Sequence, residues 1–358
     1  MRKRLMLALA ASSVCTSHAM AQSSVTLYGS LGDSIAYANN EHGKSVVFMG
    51  GGTTPEWIGL TGTEDLGGGF KAVFKLEDGI VTASGANLVP GEMFGRQAWI
   101  GLQSTDYGRV TLGRQFDITN DMIMPISNGY QTSIYQLYHP ANLDDFGSTF
   151  YNNAVKYTSV PLHGLTVEGM YGFDDATTQP GRYAGGGLSY ANGPLKAAVV
   201  YSSQHNRTVA LNSKLGYTDF AGETLTPTGT FVARSVQIVS AGVMYALTNR
   251  WSVRGGYSQV DVEAQNGNSS TMRTGEVGAN FQTTPYNLVS AGSYYSSFAG
   301  AHYVAAGLSD VYSLSKRTSL FASVVYQHAS GAVAAMANLM PSSTHAQVAT
   351  YVGTQLFF

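Results

Sequence analysis

"FKAVFKLE" (70–77) alternates without a break. Phe70, Ala72, Phe74 and Leu76 share one parity, and Lys71, Val73, Lys75 and Glu77 share the other. A period of two places the two sets on opposite faces of a β-strand. The pattern repeats elsewhere. "LTVEGMYGF" (165–173) sets Leu165, Val167, Gly169, Tyr171 and Phe173 against Thr166, Glu168 and Met170. "WSVRGGYS" (251–258) sets Trp251, Val253, Gly255 and Tyr257 against Ser252, Arg254, Gly256 and Ser258. The chain ends on "ATYVGTQLFF" (349–358), in which Val352, Leu356 and Phe358 lie on the greasier parity. Sixteen such segments of roughly ten residues fit between the turns, and that length crosses a bilayer at a tilt.

The connections alternate in length. Short ones are "EDLGGG" (64–69), "STDYG" (104–108), "PLHG" (161–164), "NGP" (192–194), "TNR" (248–250), "TPY" (284–286) and "SKRT" (315–318). Long ones cover about 39–54, 79–93, 116–149, 204–233 and 329–343. Short turns on one rim and long loops on the other predict an all-β, transmembrane antiparallel barrel of about 16 strands. A soluble, secreted β-sheet binding protein is the competing class, and it predicts a more ordinary charge content. Glycine-rich strands also suit a wide barrel, which has no need of bulky side chains to fill it.

The N-terminus indicates export. Residues 1–21 carry Arg2, Lys3 and Arg4, an apolar stretch from Leu5 to Cys15, and Ala19-Met20-Ala21. This is the layout of a cleaved signal peptide, and the apolar stretch is too short for a spanning helix. Residues 22–358 then form a single domain free of cysteine, since Cys15 is the one cysteine. Losing the three basic residues takes the net charge from −2 to −5. A mildly acidic chain with no basic patch gives no support to nucleic-acid binding. Charged residues make up 12% of the chain, about half the usual share, against 42 Gly and 22 Tyr. No run of 18 apolar residues follows the leader, which does not exclude a β-barrel.

Catalytic and cofactor motifs lack their settings. "GDS" (32–34) and "DFG" (145–147) are bare tripeptides, and the triple glycine at 50–52 has no P-loop lysine. The eight histidines show no metal-ligand spacing. The sequence therefore predicts no enzyme, no cofactor and no metal.

Several ordered segments carry a family resemblance: "SSVTLYG" (23–29), "GLTGTEDLGGGFKAVFKLE" (59–77), "GRQAWIGL" (95–102), "GRVTLGRQFD" (108–117), "NNAVKYTS" (152–159), "LSYANGPL" (188–195), "YSLSKRTSLFASVVYQ" (312–327) and the terminal "FF". Together they resemble the general porins of Gram-negative outer membranes, of the β-proteobacterial type. The resemblance implies a homotrimer in outer-membrane lipid, passive diffusion of small polar solutes and ions, and a third long loop folded into the pore. It also implies that Phe358 belongs to a terminal signal read by the outer-membrane β-barrel assembly machinery. An aromatic residue at the lipid interface is a compatible reading of the same side chain.

A folded-in loop at 116–149 would carry Asp117, Asp121, Asp144 and Asp145, which are expected as the acidic side of a constriction or as turn formers. The basic side is expected from the wall: Lys71, Lys75, Lys156 and Arg254 by parity, and Arg96 by resemblance. Arg96 shares parity with Ala98, Ile100 and Leu102, so its direction is open from sequence alone. Arg114 is open between the pore wall and the subunit interface. Trp57, Phe150 and Thr61 stand where the family commonly carries basic residues, all at lumen parity. Trp57 and Phe150 are thus expected as an aromatic pore flank that reduces anion preference. A one-residue register slip would turn both rings to lipid or to a neighbouring subunit. The aromatic flank also raises a substrate-selective channel for small aromatic or organic-acid solutes.

Overall fold

The computed structural model describes residues 24–132, 137–147, 149–175, 181–226 and 230–358. The expected signal peptide lies outside them. Sixteen long strands close into one antiparallel barrel: β1 Ser24–Glu41, β2 Trp57–Gly67, β3 Phe70–Val81, β4 Gln97–Ser104, β5 Gly108–Phe116, β6 Phe150–Thr158, β7 Leu165–Gly172 and β8 Tyr183–Asn192, then β9 Leu195–Val209, β10 Phe231–Ala246, β11 Trp251–Glu263, β12 Ser269–Thr284, β13 Asn287–Phe298, β14 Ala301–Ser313, β15 Thr318–Ser330 and β16 Ala346–Phe357. Each pairs with its sequence neighbour, and β1 closes the ring by pairing Ser30–Ala38 with Phe357–Ala349 of β16.

Alternation decides which face meets which medium. On β16, Gln347, Ala349, Tyr351 and Gln355 are buried inside, whereas Val352 and Leu356 are exposed outside. The same division puts Ser240, Ser258, Asn280 and Gln327 inward and Val243, Val253, Val277 and Val324 outward. A polar lumen inside an apolar outer face is what a barrel in lipid requires. Among the described residues no helix is long and apolar enough to cross a membrane.

The rims differ from the expected pattern in two places. Residues 264–268 and 299–300 lie on the long-loop rim, yet both connections are short. The expected loop at 204–233 also shrinks. β9 continues to Val209 and β10 starts at Phe231, and the connection holds a short helix, Leu211–Leu215.

The first hairpin is creased. A short strand, Lys44–Met49, pairs with the upper part of β1, and residues 50–56 then fold inward before β2 begins. This crease is where the triple glycine acts. The Thr53 N–H donates to Gln355 Oε1 at 2.7 Å, and Ser34 Oγ donates to the Gly51 carbonyl at 2.8 Å. A Cβ on Gly52 would sit 2.0 Å from Gln355 Oε1, so a side chain there would displace the amide that holds the crease on the β1–β16 seam.

Phe358 completes that seam from the outside. Its N–H donates to the Gly29 carbonyl at 3.2 Å, and its ring covers Gly29 so closely that a Cβ there would be 2.4 Å from Cζ. Gly29→Val should therefore force apart the ring and the Trp57 backbone, an overpacking cost of about 1–3 kcal/mol. The heat-induced shift from the folded to the unfolded gel band should move to lower temperature. An unchanged transition would contradict this packing of Phe358.

Candidate functional site

Residues 117–132 and 137–147 leave the rim and turn into the barrel. Asp117 caps a short helix, Ile118–Met122, by accepting the Asn120 N–H at 3.0 Å, and its own N–H donates to Thr149 O at 3.1 Å. That second bond joins the two ends of the loop. A 3-10 turn at Met124–Ile126, a helical turn at Asn128–Gln131 and a second 3-10 turn at Pro140–Asn142 follow. Ile118, Ile123, Leu137 and Leu143 are fully buried, so the loop packs like a core element and not like a solvated tip.

The wall is shaped to receive it. Gly278 and Gly292 are direct cross-strand partners, and Gly307 pairs with Gly292. A Cβ on Gly278 or Gly292 would lie 2.3 or 2.6 Å from Asn128 Oδ1, and one on Gly307 would lie 2.9 Å from Leu137 Cδ1. The glycines on these strands thus clear a floor for the loop, beyond merely leaving the lumen wide.

Polar anchors fix the loop on that floor. Arg254 Nε donates to Asn128 Oδ1 at 2.7 Å and its Nη1 to Asn280 Oδ1 at 2.6 Å, and its Nη2 bonds Thr132. The Asn128 N–H donates to Glu276 at 3.1 Å. His139 sits with Nδ1 2.5 Å from Asp144 Oδ2 and Nε2 3.5 Å from Glu276. Ser258 Oγ donates to Asp144 at 2.5 Å. Two cations and two carboxylates in this cluster cancel, which is the condition for burying charge at tolerable cost. A second anchor holds Asp145, which accepts from Arg207 Nη2 at 2.7 Å, Gln204 Nε2 at 2.6 Å and Thr149 Oγ1 at 3.0 Å. A third joins Lys156 Nζ to Asp121 Oδ2 and to the Phe116 carbonyl, both at 2.5 Å.

This differs from the expected acidic rim. Asp117, Asp144 and Asp145 are 0% exposed. They are used to cap the helix and to bind the wall, and face no open water. Asp121 alone keeps an exposed side chain, at 31%, and it is already paired with Lys156. Arg254 and Lys156 point inward at the expected parity, but both are buried anchors. Lys71 also points inward, at the short-turn rim, between Asp65 and Gln103 on the flanking strands.

Arg96 precedes β4, so strand alternation does not govern it. Its guanidinium turns inward across Gly79, where a Cβ would be 3.3 Å from its Cδ. It lies 3.6 Å from Glu77 and over the rings of Phe116, Trp57 and Phe150, at 5.2, 5.9 and 5.9 Å to the centroids. Cation–π contacts of this kind contribute about 0.5–2 kcal/mol depending on desolvation. Trp57 and Phe150 therefore flank an arginine inside the barrel. Lys75 is 3.4 Å from the same Glu77 and lies over Tyr28. Arg114 donates to Gly95 O and Asn152 and pairs with Glu92 at 3.1 Å, so it ties the base of the 82–96 connection to β6. Thr61 donates to Phe74 O.

Beneath the loop a cavity of about 440 Å³ is bordered by Lys75, Arg96, Arg109 and Lys156, with Glu77, Glu168 and Asp121 as its acids. Arg109, Glu77 and Glu168 were not singled out from sequence. All three sit at inward parity, and that signal was available. Arg207 and His139 were also missed. Arg207 faces inward because the left-handed backbone of Asn206, at φ 52°, interrupts the alternation of β9, while the register with β10 runs on from His205–Ser235 to Arg207–Ala233 without a shift.

Several comparisons bear on this geometry. The family model described as Gram-negative porin matches residues 7–332. An outer membrane porin protein of Bordetella pertussis is 32% identical over 231 residues, covering 56% of this chain and 59% of the relative. Outer membrane porin protein 32 of Delftia acidovorans is 36% identical over 199 residues, covering 52% and 56%. The matches thus span a little over half the length of these curated relatives. Among solved structures, the anion-selective porin from Comamonas acidovorans superposes with a TM-score of 0.79 at 23% identity, over 94% of this chain and 100% of that one. OmpT of Vibrio cholerae in its trimer form gives 0.68 at 14%, over 94% and 99%. At these identities the likeness concerns the fold.

The anchor carries a pH dependence. Burial alone would lower the pKa of His139, but the carboxylates of Asp144 and Glu276 outweigh it and raise the value to about 10. Burial pushes Asp144 upward, but the charge and hydrogen bond of His139, with help from Ser258, hold it below the usual carboxylate range. The histidine's contribution is complete below about pH 6.5 and is lost as pH rises through 10. That of Asp144 is present above about pH 4 and is lost on acidification. Once the intrinsic rise of amide exchange with pH is divided out, deuterium uptake across 117–132 and 137–147 should still increase between pH 7 and 10.5, and His139→Gln should remove that extra increase. Asp144→Asn should loosen the loop by about 3–5 kcal/mol, as expected when one partner of a buried pair is removed. Equal uptake in both variants and the parent would contradict the anchor.

Proposed function

The chain belongs to the Gram-negative porin family, whose barrels reside in the outer membrane, and from that premise we propose that it forms a water-filled channel for passive diffusion of small hydrophilic solutes and ions. The observation that carries this reading is the inward-folded loop in an otherwise open sixteen-strand lumen. It narrows the passage without filling it, and leaves polar cavities beside it. Irregular backbone of this kind is tolerated at membrane depth where it lines water or is buried in protein. We assign no enzymatic activity.

The functional assembly is a homotrimer in outer-membrane lipid, like the trimer form of OmpT from Vibrio cholerae. Exposed Val25, Leu27, Ile35, Val47 and Met49 supply an apolar outer surface on the first hairpin. Phe358, seated on the outer face, is the terminal recognition element for the barrel assembly machinery.

Selectivity is weak, and the charge balance supports that reading. Four wall cations, Lys75, Arg96, Arg109 and Lys156, border the cavity beneath the loop with three acids, Glu77, Glu168 and Asp121. Trp57 and Phe150 occupy space in which further guanidinium groups would favour anions. Charges in a narrow, low-dielectric passage act on permeating ions more strongly than they would in open water.

Reversal potentials across a KCl gradient in planar bilayers test this. The parent channel should lie near zero. Asp121→Asn should shift it towards anion preference, and Lys75→Gln towards cation preference. Trp57→Arg with Phe150→Arg should favour anions more than either single change. Folded protein that carries no KCl current would overturn the channel assignment. Current with no shift in any variant would overturn the assignment of these residues to the ion path.

A further inference from the structure

A second cavity, of about 390 Å³, lies on the other side of Arg96, towards the long-loop rim. Five segments build it: the crease at 50–56, the connection at 81–96, the folded-in loop, the short helix at 211–215 and the segment around 335–338. Its size falls within the roughly 300–1,000 Å³ of sites that take small molecules. Its lining is unusual for a passage meant only for water and salt. Val81, Leu88, Tyr138, Phe150 and Met336 give it apolar and aromatic walls.

The charges in it are unequal. Arg96 and Lys214 are the cations and Glu56 is the acid. Glu56 is turned into its own crease, where Oε1 accepts the Gly52 N–H at 2.6 Å. Lys214 is an exposed residue in the last turn of its helix, and among the described residues no carboxylate lies within ion-pair distance of it.

From this combination we infer that the cavity is a binding subsite for small amphipathic organic anions of the benzoate class. The inference rests on the channel reading above and names the solute class that this part of the channel favours. A compact inorganic anion would gain nothing from Leu88 and Met336. A neutral aromatic solute would gain nothing from Lys214. A ring carrying one carboxylate uses both: the ring lies against the apolar wall and the Phe150 side, and the carboxylate meets Lys214 or Arg96. The Arg96 guanidinium already lies over Phe150; a guanidinium face stacks on a ring, and its in-plane N–H groups donate to a carboxylate. Binding of this type is weak, as conduction demands. A solute must be held well enough to enter and loosely enough to leave.

The test is conductance of the full-length protein in planar bilayers with a KCl background. Sodium benzoate, sodium acetate, benzylammonium chloride and benzyl alcohol are the added probes. Benzoate should reduce the current in a saturable way, with an apparent affinity roughly tenfold or more above each of the other three. Lys214→Gln and Leu88→Asn should each weaken the benzoate effect by about three- to tenfold while KCl current persists. Both changes are at exposed positions, and a heat-modifiable gel band checks that each variant folds. The probe comparison on the parent protein decides the matter should either variant fail to fold. Equal effects of acetate and benzoate would overturn the proposal, because charge alone would then suffice. Equal effects of benzyl alcohol and benzoate would overturn it for the opposite reason. Normal KCl current with no benzoate effect would also overturn it, leaving the channel reading intact. Absence of KCl current would remove both.

Discussion

In lipid, each backbone N–H and C=O left without a partner costs several kcal/mol, and a sheet avoids that cost by having no edge. Here the edge is abolished where Ser30–Ala38 of β1 meets Phe357–Ala349 of β16. The seam is reinforced from both sides. Gln355 and Ser34 hold the glycine crease against its inner face, and Phe358 covers Gly29 on its outer face. Once the ring is closed, strand alternation has two solvents to choose between, and a lumen exists for a loop to enter.

Loop entry imposes the next constraint. A chain segment lowered into a barrel must satisfy its polar groups and still leave a passage. The three paired glycines at 278, 292 and 307 let it approach the wall. The cluster of His139, Asp144, Glu276 and Arg254 then holds it with no net charge. This arrangement consumes the loop's carboxylates. Charge that would otherwise face the permeating ion is turned to structural use, and the field in the passage falls mainly to wall groups such as Lys75, Glu77, Arg96 and Arg109. The aromatic rings around Arg96 limit its motion, and they separate the polar cavity below from the more apolar one above.

Much of this was legible from residue order alone, because a period of two reports directly on which side of a barrel wall a residue faces. Lys75, Lys156, Arg254 and Trp57 point inward, as parity requires, and Phe358 points outward. What parity could not reveal has identifiable causes. Arg96 lies just outside its strand, so no alternation applied to it. Arg207 follows Asn206, whose left-handed backbone interrupts the alternation of its strand. Asp117, Asp144 and Asp145 look like any loop aspartates, and the burial of Asp144 and Asp145 depends on partners more than 50 residues away, such as Ser258 and Arg207. The short connections at 264–268 and 299–300 break the length rule, and the segment after β9 packs against them: Asn266 and Asn268 donate to Ala221 O, and Tyr217 donates to Phe298 O.

The central claim is that the loop at 117–149 occupies the conducting lumen. It is tested most directly by chemical access to single cysteines in a background with Cys15 replaced, since the chain has no other cysteine. Tyr130 projects from the loop into a cavity shared with Trp57 and Arg96, whereas Val277 is exposed on the outer face of β12. A bulky hydrophilic thiol reagent added during bilayer recording should lower the conductance of Tyr130→Cys and leave that of Val277→Cys unchanged. Modification of Tyr130→Cys with no change in conductance would contradict the account.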